Sequence, residues 1–165
     1  CLMPNHVHLL AVPSTADGLR RAIGEAHRRY TRHVNFREGW RGYLWQGRFF
    51  SFVTDESYLV SVVRYIERNP VRAGLVKRPH EYRWSSAAAH ITGRNDDLVN
   101  VKPLLDMWRN WDNILSKELD LPTLKKFRHH SRTGRPLGSE DFVKTLEKKL
   151  GRKLAPQKGG RPKRK

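Results

Sequence analysis

The sequence predicts an α+β fold: a small sheet with helices packed on it, and a basic, mostly helical extension at the C-terminal end. Three observations carry this reading. Residues 5–12 and 43–53 have strand character, the first through strict alternation and the second through its aromatic and β-branched content. Residues 17–35 and 55–69 repeat apolar side chains at helical spacing. The 165 residues are 38 % hydrophobic and include five Trp, enough for one modest core with an appendage and too little for two full domains.

In the first strand His6, His8, Leu10 and Val12 share one face, while Val7, Leu9 and Ala11 share the other. Pro13-Ser14-Thr15 is a turn, and Ser14, Thr15 or Asp17 can cap the helix that follows. That helix carries Leu19, Ile23, Ala26, Tyr30 and Val34 on one stripe and arginines on the opposite face. After a Gly- and Arg-rich loop, Leu44-Trp-Gln-Gly-Arg-Phe-Phe50 reads as a strand with a bulge or bend at Gly47. Asp55 caps a second helix with Leu59, Val62, Val63 and Ile66 as its buried stripe, and Asn69-Pro70 ends it. Trp84 to His90 is a short helix capped by Ser85, and Arg94-Asn-Asp-Asp97 is the best boundary. Beyond it come a Trp108/Trp111/Leu115 segment, a basic stretch from Lys125 to Arg135, and an amphipathic helix from Ser139 through Phe142, Leu146 and Leu150.

Lys and Arg number 33 against 16 Asp and Glu, a formal charge of +17. The excess is uneven: residues 121–165 hold fifteen basic and three acidic side chains, residues 1–120 eighteen and thirteen. A polyanionic partner follows, nucleic acid before anionic membrane. One cysteine excludes an internal disulfide framework and a cysteine-rich zinc site. No apolar run approaches the ~18 residues of a membrane span, and no signal peptide is present, so a soluble intracellular protein is expected. The opening Cys1-Leu-Met-Pro has no initiator Met and no polar lead-in to the strand. It points to a start further upstream or a truncated product.

His6-Val7-His8 is the sharpest chemical feature. Two residues apart on a strand, both imidazoles can reach one ion or one phosphate. On the 55–69 helix Tyr58, Tyr65 and Asn69 lie within about 40° of one another, flanking the apolar stripe at the rim of the core. Two imidazoles and an amide oxygen can hold a metal that polarises a phosphodiester beside a phenol poised to attack. The plainer alternative is a pair of structural histidines with Tyr65 as a core-edge aromatic.

Four strings occur in an order seen in one family: Met3-Pro-Asn-His-Val-His-Leu-Leu10, Leu44-Trp-Gln-Gly-Arg-Phe49, Tyr65-Ile-Glu-Arg-Asn-Pro-Val-Arg-Ala-Gly-Leu-Val76 and Trp84-Ser-Ser86. Together they resemble the single-tyrosine His-hydrophobic-His transposases, most closely the branch associated with repetitive extragenic palindromes. Gly134-Arg-Pro-Leu-Gly138 and the helix after it are similar to that branch's C-terminal region. The resemblance implies a ferredoxin-like (RRM-like) catalytic domain over 1–93 that lacks the family's N-terminal strand-turn-helix. A basic helical region over 94–154 and a disordered basic tail over 155–165 follow. The absent portion would leave a central ladder open, so a truncated transposase with reduced or no activity is expected. The resemblance further implies a divalent cation, Mg²⁺ or Mn²⁺, on His6, His8 and Asn69. Tyr65 would be the nucleophile forming a 5′-phosphotyrosine, with Tyr58 as the fallback. The implied partner is single-stranded, palindromic or hairpin DNA at the bacterial nucleoid, with no membrane. Dimerisation is common in related transposases, which makes a homodimer a further expectation.

Arg20, Arg21, Arg28, Arg29 and Arg32 form a positive face suited to phosphates, or simply a solvated one. Arg41, Trp45 and Arg48 combine cations with an aromatic, as single-strand binding sites do, although Trp45 equally suits a core. Arg161, in the Gly-Arg-Pro of the tail, resembles the minor-groove arginine of an AT-hook. The competing reading of the whole is a non-catalytic DNA-binding protein derived from a truncated transposase.

Overall fold

A computed structural model gives the structure of the chain and describes residues 1–155. The expected contacts of the tail, Arg161 among them, lie outside the described residues. The described residues are 53 % helical and 3 % strand, with no sheet among them. The chain forms two compact units, one made of Cys1–Leu9 with the chain from Phe52 onward, the other of Leu10–Ser51.

The smaller unit is built on α1 (Gly18–Glu38). Glu25 accepts from Arg28 (2.8 and 2.7 Å) and Arg29 (2.8 Å) one turn on, spacing that supports a helix this rich in arginine. Asp17 stands at the cap position, but its carboxylate accepts from Thr15 Oγ1 and not from a helix N–H. Gly39, with a φ of 66°, takes the left-handed conformation that ends the helix. Trp45 then lies against the helix, stacked on His27 at 3.9 Å with its indole N–H donating to the His27 carbonyl.

In the larger unit α2 (Leu59–Glu67) is the centre, entered through a 3₁₀ turn at Glu56–Tyr58. It is followed by α3 (Asn69–Arg72), α4 (Ala87–Thr92), α5 (Lys102–Met107), α6 (Trp111–Ser116), α7 (Leu121–Thr133) and α8 (Glu140–Leu150). Two sides of α2 are buried. Val62 and Ile66 pack with Phe127 of α7 and with Leu137, which follows that helix. Val63 packs with Ala87, Trp111 and Leu115. The region beyond the Arg94–Asp97 break therefore supplies core to the helix that carries Tyr65. None of the described helices is long and apolar enough to cross a membrane.

The α+β ferredoxin-like sheet expected from the sequence is not formed. A strand persists where its backbone groups meet a neighbouring strand, and here they go elsewhere. Residues 1–8 fold back on themselves, with Met3 N donating to His6 O (2.8 Å), His8 N donating to Cys1 O (2.9 Å), and one isolated bridge between Leu2 and Val7. Leu2 is further tied to Trp84 O and to the Tyr82 hydroxyl. In the second segment the aromatic content is used to pack Trp45 on α1. The remaining bridge, Thr54 with Leu137, lies just beyond it.

Candidate active site

The site is assembled by the passage from α2 to α3. Pro70 was expected to end the helix at Asn69, yet the chain breaks only briefly at Arg68 and turns helical again. Pro70 sits in the first turn of α3, where no N–H is needed for an intrahelical bond. Arg72 N bonds back to Arg68 O and Ala73 N to Asn69 O, so the backbone ladder is nearly continuous. Tyr65, Asn69 and Arg72 consequently share one face. Against it stands the reversed segment 1–8, which places His6 and His8 side by side without a sheet.

The distances define one cluster. The two imidazoles are 4.8 Å apart, edge to face. His6 Nε2 lies 3.2 Å from Asn69 Nδ2, while Asn69 Oδ1 accepts from Arg72 Nη2 at 2.8 Å. The Tyr65 ring is bounded by His8 at 5.5 Å, by Phe127 at 5.4 Å and by the Arg72 guanidinium over its face at 4.4 Å. Asn69 is only 8 % exposed, so its amide is held by these partners and not by water.

Burial disfavours the charged form of both imidazoles. It lowers the His6 pKa, and burial together with the neighbouring His6 lowers His8 to about 4. Both rings are therefore neutral near pH 7, the form that binds a metal. His6 Nδ1 lies 2.7 Å from Asn5 Oδ1, which places the ring proton on Nδ1 and leaves the Nε2 lone pair facing Asn69. Among the described residues no group of three or more His, Cys, Asp or Glu side chains is placed to hold a metal. Asn69 is in contact with the imidazole pair, through its amide nitrogen toward His6.

The family model described as transposase, IS200 like, covers the stretch in which this cluster lies. Residues 1–69 match it. His6, His8, Tyr65 and Asn69 all fall within this transposase-like stretch, and Arg72 falls three residues beyond it. No curated protein and no solved structure matches the chain.

The other sequence-predicted residues lie elsewhere. Tyr58 ends the 3₁₀ turn just before α2, two turns before Tyr65, with Lys126 over its ring at 4.2 Å and bonded to its hydroxyl. Arg20, Arg21, Arg28, Arg29, Arg32, Arg41, Trp45 and Arg48 belong to the smaller unit. Within it Arg20 and Arg21 pair with Asp17, and Arg28 and Arg29 with Glu25. Arg32, Arg41 and Arg48 make no ion pair among the described residues.

Sequence reasoning missed Arg72 and Phe127. Seven residues amount to two turns less about 20°, so Arg72 shares the Tyr65 face once the helix is carried through Pro70. Nothing local announces Phe127, which arrives from a distant helix.

Proposed function

We propose that this chain carries the catalytic centre of a transposase that cuts and rejoins single-stranded, hairpin-forming DNA through a phosphotyrosine at Tyr65. It would belong to the branch associated with repetitive extragenic palindromes. The observation that carries this reading is the convergence of a tyrosine, two neutral imidazoles and a buried amide in one cluster. The two neutral imidazoles suit a divalent ion, Mg²⁺ or Mn²⁺, held by His6, His8 and Asn69, the last of which would turn to the ion the amide oxygen that here accepts from Arg72. When bound, such an ion supplies positive charge to the non-bridging oxygens of the scissile phosphate.

The chain's own residues do the rest. His8 and Phe127 fix the plane of the Tyr65 ring from two sides, holding the phenol in one orientation for in-line attack. Loss of the phenol proton lets Oη bond to phosphorus. The P–O3′ bond breaks, and the 3′ oxygen leaves as a hydroxyl by taking up a proton. The phosphodiester is conserved in the Tyr65 linkage, and attack by another 3′-hydroxyl rejoins a strand without an external energy source. Arg32, Arg41 and Arg48, which have no carboxylate partners among the described residues, are the arginines of the smaller unit best suited to phosphates.

A labelled single-stranded hairpin incubated with the 165-residue chain and Mn²⁺ or Mg²⁺ tests this reading. A denaturation-resistant adduct is expected that is lost in Tyr65→Phe and retained in Tyr58→Phe. Hairpin binding with no adduct under either metal supports instead a non-catalytic DNA-binding protein.

A further inference from the structure

Arg72 is a half-buried guanidinium without a carboxylate. Among the described residues it makes no ion pair. Its polar contacts are the Asn69 amide oxygen at 2.8 Å and the Tyr65 carbonyl at 3.4 Å, and both come through Nη2. Taking a cation out of water without a counter-charge is costly. The surroundings add to that cost. Burial is the largest influence disfavouring its charge, and Arg128 of α7 and Arg68 oppose it as well, with Tyr65 acting the other way. Arg68 has its own partners in Leu115 O and Glu118, whereas Arg128 has no ion pair among the described residues. Arg72 over the Tyr65 ring, with Arg128 close enough to disfavour its charge and neither paired with an acid among the described residues, makes a place for an anion.

We propose that Arg72 is a further catalytic residue, which binds the scissile phosphate beside Tyr65 through the guanidinium nitrogens that carry no hydrogen bond among the described residues. This rests on the reading of Tyr65 as nucleophile. During attack the phosphoryl oxygens gather negative charge while the Tyr65 Oη–P bond forms and the P–O3′ bond breaks. A guanidinium already in place neutralises that charge without rearranging. Its bond to Asn69 ties this contact to the amide facing His6. Arg72 thus links the phosphate to the imidazole pair.

Two measurements test the assignment, with folding of each variant checked by urea denaturation. In the first, inorganic phosphate is titrated into the metal-free chain while the arginine Nε–H signals are followed by NMR. A saturable shift of the Arg72 signal, absent in Arg72→Ala, is expected. No saturable shift at Arg72 overturns the assignment whether or not the chain cuts DNA. In the second, adduct formation is compared on a normal strand and on one with an uncharged methylphosphonate at the mapped cleavage linkage. Arg72→Ala should lose about a hundredfold in rate on the normal strand and approach wild type on the neutral one, because there is no charge left to neutralise. An equal loss on both strands, or no loss on either, contradicts the proposal. A wild-type chain that forms no adduct removes the Tyr65 reading instead, and the phosphate titration then decides the Arg72 anion site alone.

Discussion

Glu67, between Tyr65 and Asn69 in the chain, has no exposed surface, yet it carries a carboxylate. Ser86 Oγ and His90 Nδ1 each bond one oxygen at 2.5 Å, and Trp111 Nε1 bonds the other at 2.8 Å. These partners come from α4, its cap residue and α6, so one side chain fixes the rotation of α2 against two other helices. With Glu67 held on that side, Tyr65 and Asn69 face the histidines. Glu67→Ala strands two buried groups, His90 and Trp111, and the half-buried Ser86 hydroxyl, and should cost about 3–5 kcal/mol in urea denaturation; a loss under about 1 kcal/mol contradicts this role. His8 makes a pH-dependent prediction for the metal-free chain. Its folded pKa of about 4 lies below the ordinary 6.5, so on acidification the unfolded state takes up the proton first. Stability owed to His8 is complete above about pH 6.5 and declines as pH falls towards 4, by an amount on the order of 1–3 kcal/mol. Denaturation midpoints at the two ends of that window should differ less in His8→Gln than in wild type. A difference as large as wild type's would exclude His8 as the cause.

At the scale of elements, α1, α2 and α8 were legible in the sequence, and the expected sheet did not form. The apolar spacing of 17–35, 55–69 and the stretch after Ser139 marks α1, α2 and α8, because helical hydrogen bonds are internal to the segment that forms them. Ser139, from which the sequence starts the last helix, caps α8, its hydroxyl accepting from Phe142 N. A strand is different: alternation shows which side chains share a face, but not whether a second strand lies alongside. The His6/His8 pairing survives that failure because a short reversal and a strand both bring residues two apart close together. The Pro70 misreading has a physical cause too, since proline breaks a helix interior but suits a first turn, and a one-residue break at Arg68 turns the first case into the second. The stretch after α7 shows what long-range packing adds. Leu137 has no exposed surface and touches the core through Val62, Ile66 and Phe127. Leu137→Ala should therefore cost about 2–5 kcal/mol, while Leu98→Ala, at a residue 90 % exposed, should cost less than about 0.5 kcal/mol. Equal effects in urea denaturation would remove this stretch from the core of the larger unit.

For the whole molecule, the +17 charge resolves into separate populations. Residues 52–120, which carry Tyr65 and most of its supports, hold ten basic and ten acidic side chains. The excess sits in residues 10–51, with eight against three, and in residues 121–165, with fifteen against three. Composition alone places a polyanion near the protein; the chemistry proposed on it rests on the cluster of Tyr65, His6, His8, Asn69 and Arg72. Affinity for single-stranded DNA should fall steeply between about 50 and 200 mM salt. Deleting residues 156–165 removes five cations and should flatten the log–log slope by up to about 3. An unchanged slope in fluorescence anisotropy would assign DNA contact to the rest of the chain. Catalysis has a sharper measurement. Trypsin cleaves after Arg64 and Arg68, releasing Tyr65-Ile-Glu-Arg68 as a separate peptide, whereas Tyr58 lies in the peptide before it. Mass spectrometry of the chain after reaction with hairpin DNA and Mn²⁺ should find the nucleotide mass on the Tyr65–Arg68 peptide. Nucleotide on the Tyr58 peptide, or on none, contradicts Tyr65 as the nucleophile.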